Sequence, residues 1–278
     1  MNYQHQFHAG NAADCVKHLA LYLTLTALTR KDTPLAYMDT HAGAGSYMLG
    51  TSGEHLGGIS RLWSDRRSLP QCGEWLKIIH QIQPDKQLQH YPGSARLAAA
   101  LLRPDDRMIL CESVPETAAQ LRQHLGKRPR TSILNEDGYR ALFAHMPPPE
   151  KRGLVLIDPP FERRDEWEIL ADTLLRAYGR WPQGIYLVWY PIKIRGTISR
   201  FWQALRGRIP MLVYELLQKP EEGRETLFGS GLLLINPPWG VKEALSAGLT
   251  ELGPLLADPQ SGGFWSLRCN GWPGPEKP

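Results

Sequence analysis

The chain has 278 residues, of which 42% are hydrophobic, 22% charged and 9% aromatic, and it carries a net charge of +4. This length can bury one large α/β core, while no run of about 18 apolar residues is present to form a membrane-spanning helix. The four cysteines (Cys15, Cys72, Cys111 and Cys269) lack C-x-x-C spacing, which argues against a zinc site or a disulfide framework.

The mild positive charge permits a polyanionic partner without demanding one. The opening residues lack the basic-then-apolar design of a signal peptide, so the cytoplasm is the default location and a monomer the default state. The first periodic stretch, Ala12–Thr29, sets Val16, Leu19, Leu23 and Ala27 on one helical face. Asn11 stands where a cap is needed, and Lys17 and His18 project toward a bound cofactor or the substrate, with ordinary packing the alternative for the histidine. His5, His8, Asp14 and His18 match no standard ligand spacing, so no metal is expected.

Short apolar runs bounded by turn residues follow, in the manner of buried parallel strands. They lie at 35–39, 108–112, 132–135, 154–158, 185–190, 211–217 and 232–236, with helical patterns between most of them. This alternation predicts a doubly wound α/β sheet. Only a polar turn, Lys219–Glu225, joins the last two strands, which predicts an antiparallel hairpin closing the sheet edge. Residues 46–91 are too many for a simple crossover. Apolar periodicity at Ile59, Leu62 and Trp63, and again at Trp75, Ile78, Ile79 and Ile82, predicts a small helical insertion within a single domain spanning 1–278.

The chemistry sits at the ends of these strands. Asp39-Thr40-His41-Ala42-Gly43-Ala44-Gly45 follows the first, and its glycines allow close approach of backbone to a ligand. Neither the dinucleotide fingerprint nor the P-loop lysine is met, so a cofactor without phosphates, such as S-adenosylmethionine, suits it better. Glu112 ends the second strand, where a carboxylate accepts hydrogen bonds from both ribose hydroxyls. Asp137-Gly138 after the third could grip an adenine edge, an Asx turn being the alternative.

Ile157-Asp158-Pro159-Pro160-Phe161 after the fourth strand is the sharpest signal. An amine conjugated to a purine ring is a poor nucleophile. Asp158 and a carbonyl held rigid by Pro159 and Pro160 would accept its two protons and free the lone pair, while Phe161 offers a face for an extruded base. Ile235-Asn236-Pro237-Pro238-Trp239 has the same form, but too little chain follows it to complete such a sheet. Asn236 is therefore read as a structural turn and Asp158 as the catalytic group.

The blocks Tyr3–His18, Asp39–Gly45, Tyr91-Pro92-Gly93-Ser94, Asp137-Gly138, Leu156–Phe161, Trp189-Tyr190-Pro191 and Ile235–Trp239 together resemble the bacterial large-subunit ribosomal RNA adenine-N6 methyltransferases of the RlmJ type. The resemblance implies a Rossmann-like class I methyltransferase with a mostly parallel seven-stranded sheet and an inserted helical lobe. It implies S-adenosylmethionine as cofactor and one adenine of 23S ribosomal RNA as substrate, with no membrane partner. It puts His18, His41, Ser94, Glu112, Asp137, Gly138 and Asp158 at the cofactor, Asp158 also as proton acceptor, and Tyr3 against the substrate. The family pattern usually carries Tyr where Phe161 stands, which keeps a stacking face and loses a hydroxyl. Three other readings remain open on the residues alone: the same chemistry on DNA, methylation of a protein glutamine through Asn236, and a non-enzymatic nucleic-acid-binding protein of external DNA use.

Overall fold

The computed structural model describes residues 5–66, 68–83, 88–222 and 226–274. A short helix α1 (His5–His8) leads into α2 (Ala12–Thr29), whose N-terminus is capped by Asn11 Oδ1 accepting from the Asp14 amide at 2.9 Å. Strand β1 (Ala36–Asp39) follows, then β2 (Ser46–Met48), a 3₁₀ turn at Glu54–Gly57, α3 (Ile59–Asp65), α4 (Gly73–Ile82) and β3 (His90–Pro92). β2 and β3 pair antiparallel, so the chain enters and leaves the 46–92 segment at one point.

The alternating core then runs through α5 (Ser94–Leu101), β4 (Arg107–Cys111), α6 (Pro115–Leu125), β5 (Thr131–Leu134), α7 (Gly138–His145), β6 (Gly153–Ile157), α8 (Glu166–Arg180), β7 (Ile185–Ile192) and α9 (Arg195–Leu205). The last elements are β8 (Met211–Leu217), β9 (Gly229–Ile235), α10 (Val241–Leu256) and β10 (Ser266–Trp272). Pro115 at the first position of α6 and Asp137 capping α7 mark two of the strand-to-helix turns.

Among the described residues eight strands form one sheet in the order β10-β8-β9-β7-β6-β1-β4-β5. β1, β4, β5, β6 and β7 pair parallel, and β9 runs antiparallel to both neighbours. The expected hairpin exists between β8 and β9, but it does not close the edge. β9 is threaded between β7 and β8, and an eighth strand, β10, covers β8 from Ser266 to Trp272. β10 has only partly buried and exposed residues, so it carries no apolar run for sequence reading to detect.

Successive strand residues point to opposite faces, which divides the apolar core in two. Tyr37, Leu154, Leu156 and Leu187 pack with α2 and α10 residues such as Leu19 and Leu249. Met38, Val155, Ile157 and Tyr186 pack with Leu142, Leu174 and Phe201 of α7, α8 and α9. The 46–92 segment joins the first of these clusters through Ile59, Leu62, Trp75 and Ile79. Arg61 donates to the Ala257 carbonyl at 2.8 Å, and Glu251 accepts from the Cys72 amide at 2.8 Å, which ties the segment to α10.

Candidate active site

Parallel strands bring their C-terminal ends to one edge, so the motifs that follow β1, β4, β5 and β6 converge there although they lie far apart in sequence. Thr40 N–H donates to Leu156 O at 3.1 Å, Ala42 N–H to Cys111 O at 2.8 Å, and Glu112 N–H to Leu134 O at 3.0 Å, which knits the four strand ends together. Gly43 and Gly45 adopt φ of +61° and +80°, so the loop between β1 and β2 turns back over this edge.

Glu112 is held by the loop itself. One carboxylate oxygen accepts from the Gly43 amide at 3.1 Å and the other from the Val114 amide at 2.9 Å. Each oxygen keeps a lone pair, the equipment a ribose diol requires. Asp137 caps α7 by accepting from the Arg140 amide three residues on at 2.9 Å, a helix cap where an Asx turn was weighed as its alternative role. Gly138 sits so close to β1 that a Cβ there would lie 1.9 Å from the Thr40 carbonyl oxygen.

Asp39, which sequence reading placed in a motif but not in the site, is fully buried at the centre of this edge. Its carboxylate accepts from Ser94 Oγ at 2.6 Å, from Tyr37 OH at 2.8 Å and from the His41 amide at 3.2 Å. Burial raises its pKa to about 6, against the hydrogen bonds from Ser94, Tyr37 and His41, with the negative charge of Asp158 adding to the rise. Ser94 therefore spends its proton on Asp39 and keeps acceptor capacity only. His41 Nδ1 shares a hydrogen bond with Thr40 Oγ1 at 2.8 Å, and its ring meets Tyr139 edge-on. Burial lowers its pKa to about 4 despite the pull of Asp158 and Asp137, which leaves a neutral imidazole at pH 7.

Asp158 stands at the end of β6 with its side chain 16% exposed. Lys17 was expected to reach toward a cofactor or the substrate. Its ammonium lies 2.5 Å from Asp158 Oδ2 and 2.8 Å from Asp14 Oδ1. Burial alone would push Lys17 toward neutrality; Asp14 and Asp158 outweigh it and hold its pKa well above the ordinary lysine value. His18 Nδ1 lies 2.8 Å from the hydroxyl of Tyr91, on which the ring also stacks. His8 pairs with Glu54 at 2.9 Å, so of the residues weighed as metal ligands the three whose side chains are described face different partners: His8 meets Glu54, Asp14 meets Lys17 and His18 meets Tyr91. His5 and Tyr3 lie where the structure describes no side chain.

Phe161 has φ of +52°, an uncommon conformation for a residue with a side chain. Its ring is braced by Trp167 at 4.8 Å and Trp189 at 6.0 Å, both missed as site residues. Trp189-Tyr190-Pro191 at the end of β7 was the signal for the second of these. The other [D/N]-P-P-aromatic corner is on the far side of the molecule. β9 is antiparallel, and Ile235 pairs with Tyr186 at the start of β7, so Asn236 emerges at the opposite sheet edge. Asn236 Nδ2 donates to the carbonyls of Pro182 and Gly184 at 2.7 and 2.9 Å, bonds that fasten one loop to another. Trp239 beyond it is 90% exposed.

A family model described as "Ribosomal RNA large subunit methyltransferase D, RlmJ" matches residues 32–268. The ribosomal RNA large subunit methyltransferase J of Escherichia coli (strain K12) is 36% identical over 269 residues, covering 94% of this chain and 96% of its own. That of Haemophilus influenzae is 35% identical over 285 residues, covering 99% of this chain and 100% of its own. A solved structure from Legionella pneumophila str. Philadelphia 1 is 35% identical, with a TM-score of 0.86 over 95% of this chain and 98% of that one.

Proposed function

Because the chain belongs to the RlmJ family of ribosomal RNA large subunit methyltransferases, we propose that it methylates the N6 amine of an adenine in 23S ribosomal RNA, with S-adenosylmethionine as donor. The donor set fits that cofactor: a diol-accepting carboxylate at Glu112, close-approach backbone at Gly43 and Gly138, and a neutral His41 where a charged group would repel a sulfonium. His18, Ser94, Asp137 and Asp158 complete the set of residues that would hold it. When bound, S-adenosylmethionine supplies an electrophilic methyl group.

This chain's own residues prepare the acceptor. With Lys17 on Oδ2, Asp158 Oδ1 accepts one proton of the adenine amine and the Pro159 carbonyl accepts the other. The nitrogen is thereby drawn toward sp³, and its lone pair leaves conjugation with the ring. Phe161 gives the extruded base a stacking face, and the packing of Trp167 and Trp189 keeps that face from turning. Lys17 anchors one carboxylate oxygen of Asp158, and as the amine nitrogen bonds the methyl and the sulfur–methyl bond breaks, with its electron pair left on sulfur, Asp158 takes the proton the amine sheds. Most of the rate gain in such a site is positional. Tyr3, proposed as a substrate contact near the mouth, lies outside the described residues.

The observation that carries this reading is the opposed placement of the two proline corners: Asp158 shares an edge with Glu112 and Gly43, whereas Asn236 is at the other end of the strands. The test offers labelled S-adenosylmethionine with ribosomal RNA, genomic DNA or release-factor protein to wild type, Asp158→Ala and Asn236→Ala. Label enters RNA, is lost with Asp158→Ala and is largely kept with Asn236→Ala. Label in protein or DNA alone, or undiminished transfer by Asp158→Ala, refutes the assignment.

A further inference from the structure

We propose that Asp14 is a positioning residue for methyl transfer: it fixes the Lys17 ammonium against Asp158, and the 46–91 segment fixes Asp14 through Glu54 and Asn11. The proposal rests on Asp158 being the group that receives the acceptor amine.

Asp14 is 3% exposed, and a carboxylate so buried is costly unless its oxygens are paired. Both are. Oδ1 lies 2.8 Å from Lys17 Nζ, and Oδ2 accepts from the Gly10 amide at 2.9 Å. Asp14 and Lys17 are separated by three positions on α2, so they rise from the same helical face. Lys17 thus bridges two carboxylates, one on its own helix and one beyond β6. A lysine side chain has several rotatable bonds, so a single ion pair would leave its head free to shift. The second carboxylate removes that freedom. It also takes part of the ammonium's hydrogen-bonding capacity, so that Asp158 is not fully consumed and keeps an oxygen for the substrate.

Asp14 is itself anchored from outside α2. Asn11 accepts from the Asp14 amide through Oδ1 and donates from Nδ2 to Glu54 Oε2 at 2.8 Å. The same Glu54 oxygen pairs with His8. The Ile59 amide donates to the Gly10 carbonyl at 2.8 Å, and a Cβ on Gly58 would lie 2.2 Å from that carbonyl oxygen, so the turn before α2 is seated directly on the inserted segment. The segment and the proton-accepting carboxylate are therefore joined by one continuous run: Glu54, Asn11, Asp14, Lys17, Asp158. The charged and titratable groups facing Lys17 are Asp14 on α2, Asp158 after β6 and Tyr47 on β2; Asp39 and His41 act at one remove through Asp158.

The experiment uses full-length protein carrying ¹³C- and ¹⁵N-labelled lysine, with the Lys17 signal identified by its loss in Lys17→Met. Its titration is followed in wild type, Asp14→Asn and Asp14→Ala, beside kcat and KM on ribosomal RNA against pH. In wild type Lys17 stays an ammonium beyond the range where exposed lysines titrate, and in both variants it titrates at lower pH. In the variants kcat falls about 100-fold, the scale of a small misplacement of a catalytic group, with KM for the RNA unchanged and the alkaline limb of the kcat profile moved to lower pH; Asp14→Glu recovers part of the loss. The proposal is overturned if Lys17 titrates as an ordinary lysine in wild type. It is equally overturned if the variants lose activity only in step with melting temperature while their pH profiles superimpose on wild type. Should wild type fail to methylate RNA, the function falls, and the lysine titration still decides this point separately.

Discussion

Asp39 and His41 are two positions apart and respond to burial in opposite senses. The carboxyl is raised to about 6 and the imidazole lowered to about 4, each because the low-polarity edge disfavours its charged form. Between about pH 4 and 6 the folded chain keeps a proton on Asp39 that the unfolded chain has lost, so stability falls as pH rises through that window. Over nearly the same range the unfolded chain holds a proton that His41 refuses, so stability rises. The two slopes cancel. Asp39→Asn removes the first, and its unfolding free energy should then climb from pH 4 to 6.5 by up to about 1.4 kcal/mol per pH unit relative to wild type. Denaturant unfolding across that range checks this; parallel curves for the two proteins would show that the titrations lie elsewhere. Neither shift is legible in Asp39-Thr40-His41, because both arise from burial at an edge that distant strands assemble, opposed at Asp39 by the hydrogen bonds of Ser94 and Tyr37 and at His41 by the charge of Asp158.

Among elements, the strand-end turns repay attention. The shared sheet edge of Glu112 and Asp158 was legible because each ends an apolar run, and a run of buried strand type must end at a sheet edge. Gly138 was legible as a glycine that matters, yet its reason was not: α7 starts in contact with the backbone of β1, against Thr40. Gly138→Ala must displace backbone, and it should cost about 1–3 kcal/mol, as overpacking does, while shifting the adjacent cap residue Asp137. A chemical denaturation midpoint equal to wild type would mean that the turn yields more easily than its geometry implies. The turn of Gly10 to Asp14 behaves in the same way. Its sequence announces a helix cap, which the structure contains, but the direction of Lys17 follows from Asp158, just past a strand some 140 residues later.

At the scale of the whole molecule, the sheet is finished by β10, which pairs with β8 along its full length. Without it β8, whose residues from Met211 to Leu217 are all buried, would become a bare apolar edge. A chain truncated after Phe264 should melt at lower temperature and associate with rising concentration, read by calorimetry and light scattering; an unchanged melting temperature and unchanged size would show that the edge is covered otherwise. The α/β class, the order of the motifs and the place of Asp158 at a strand end were legible in sequence alone, because buried strands write continuous apolar runs and the turns after them write glycine, proline and acid. Tertiary structure alone decided the insertion of β9 between β7 and β8, the edge role of β10, the Asp14–Lys17–Asp158 bridge and the perturbed Asp39. Each of these depends on which distant segments become neighbours, and pairing between strands leaves no mark on the local pattern from which sequence is read.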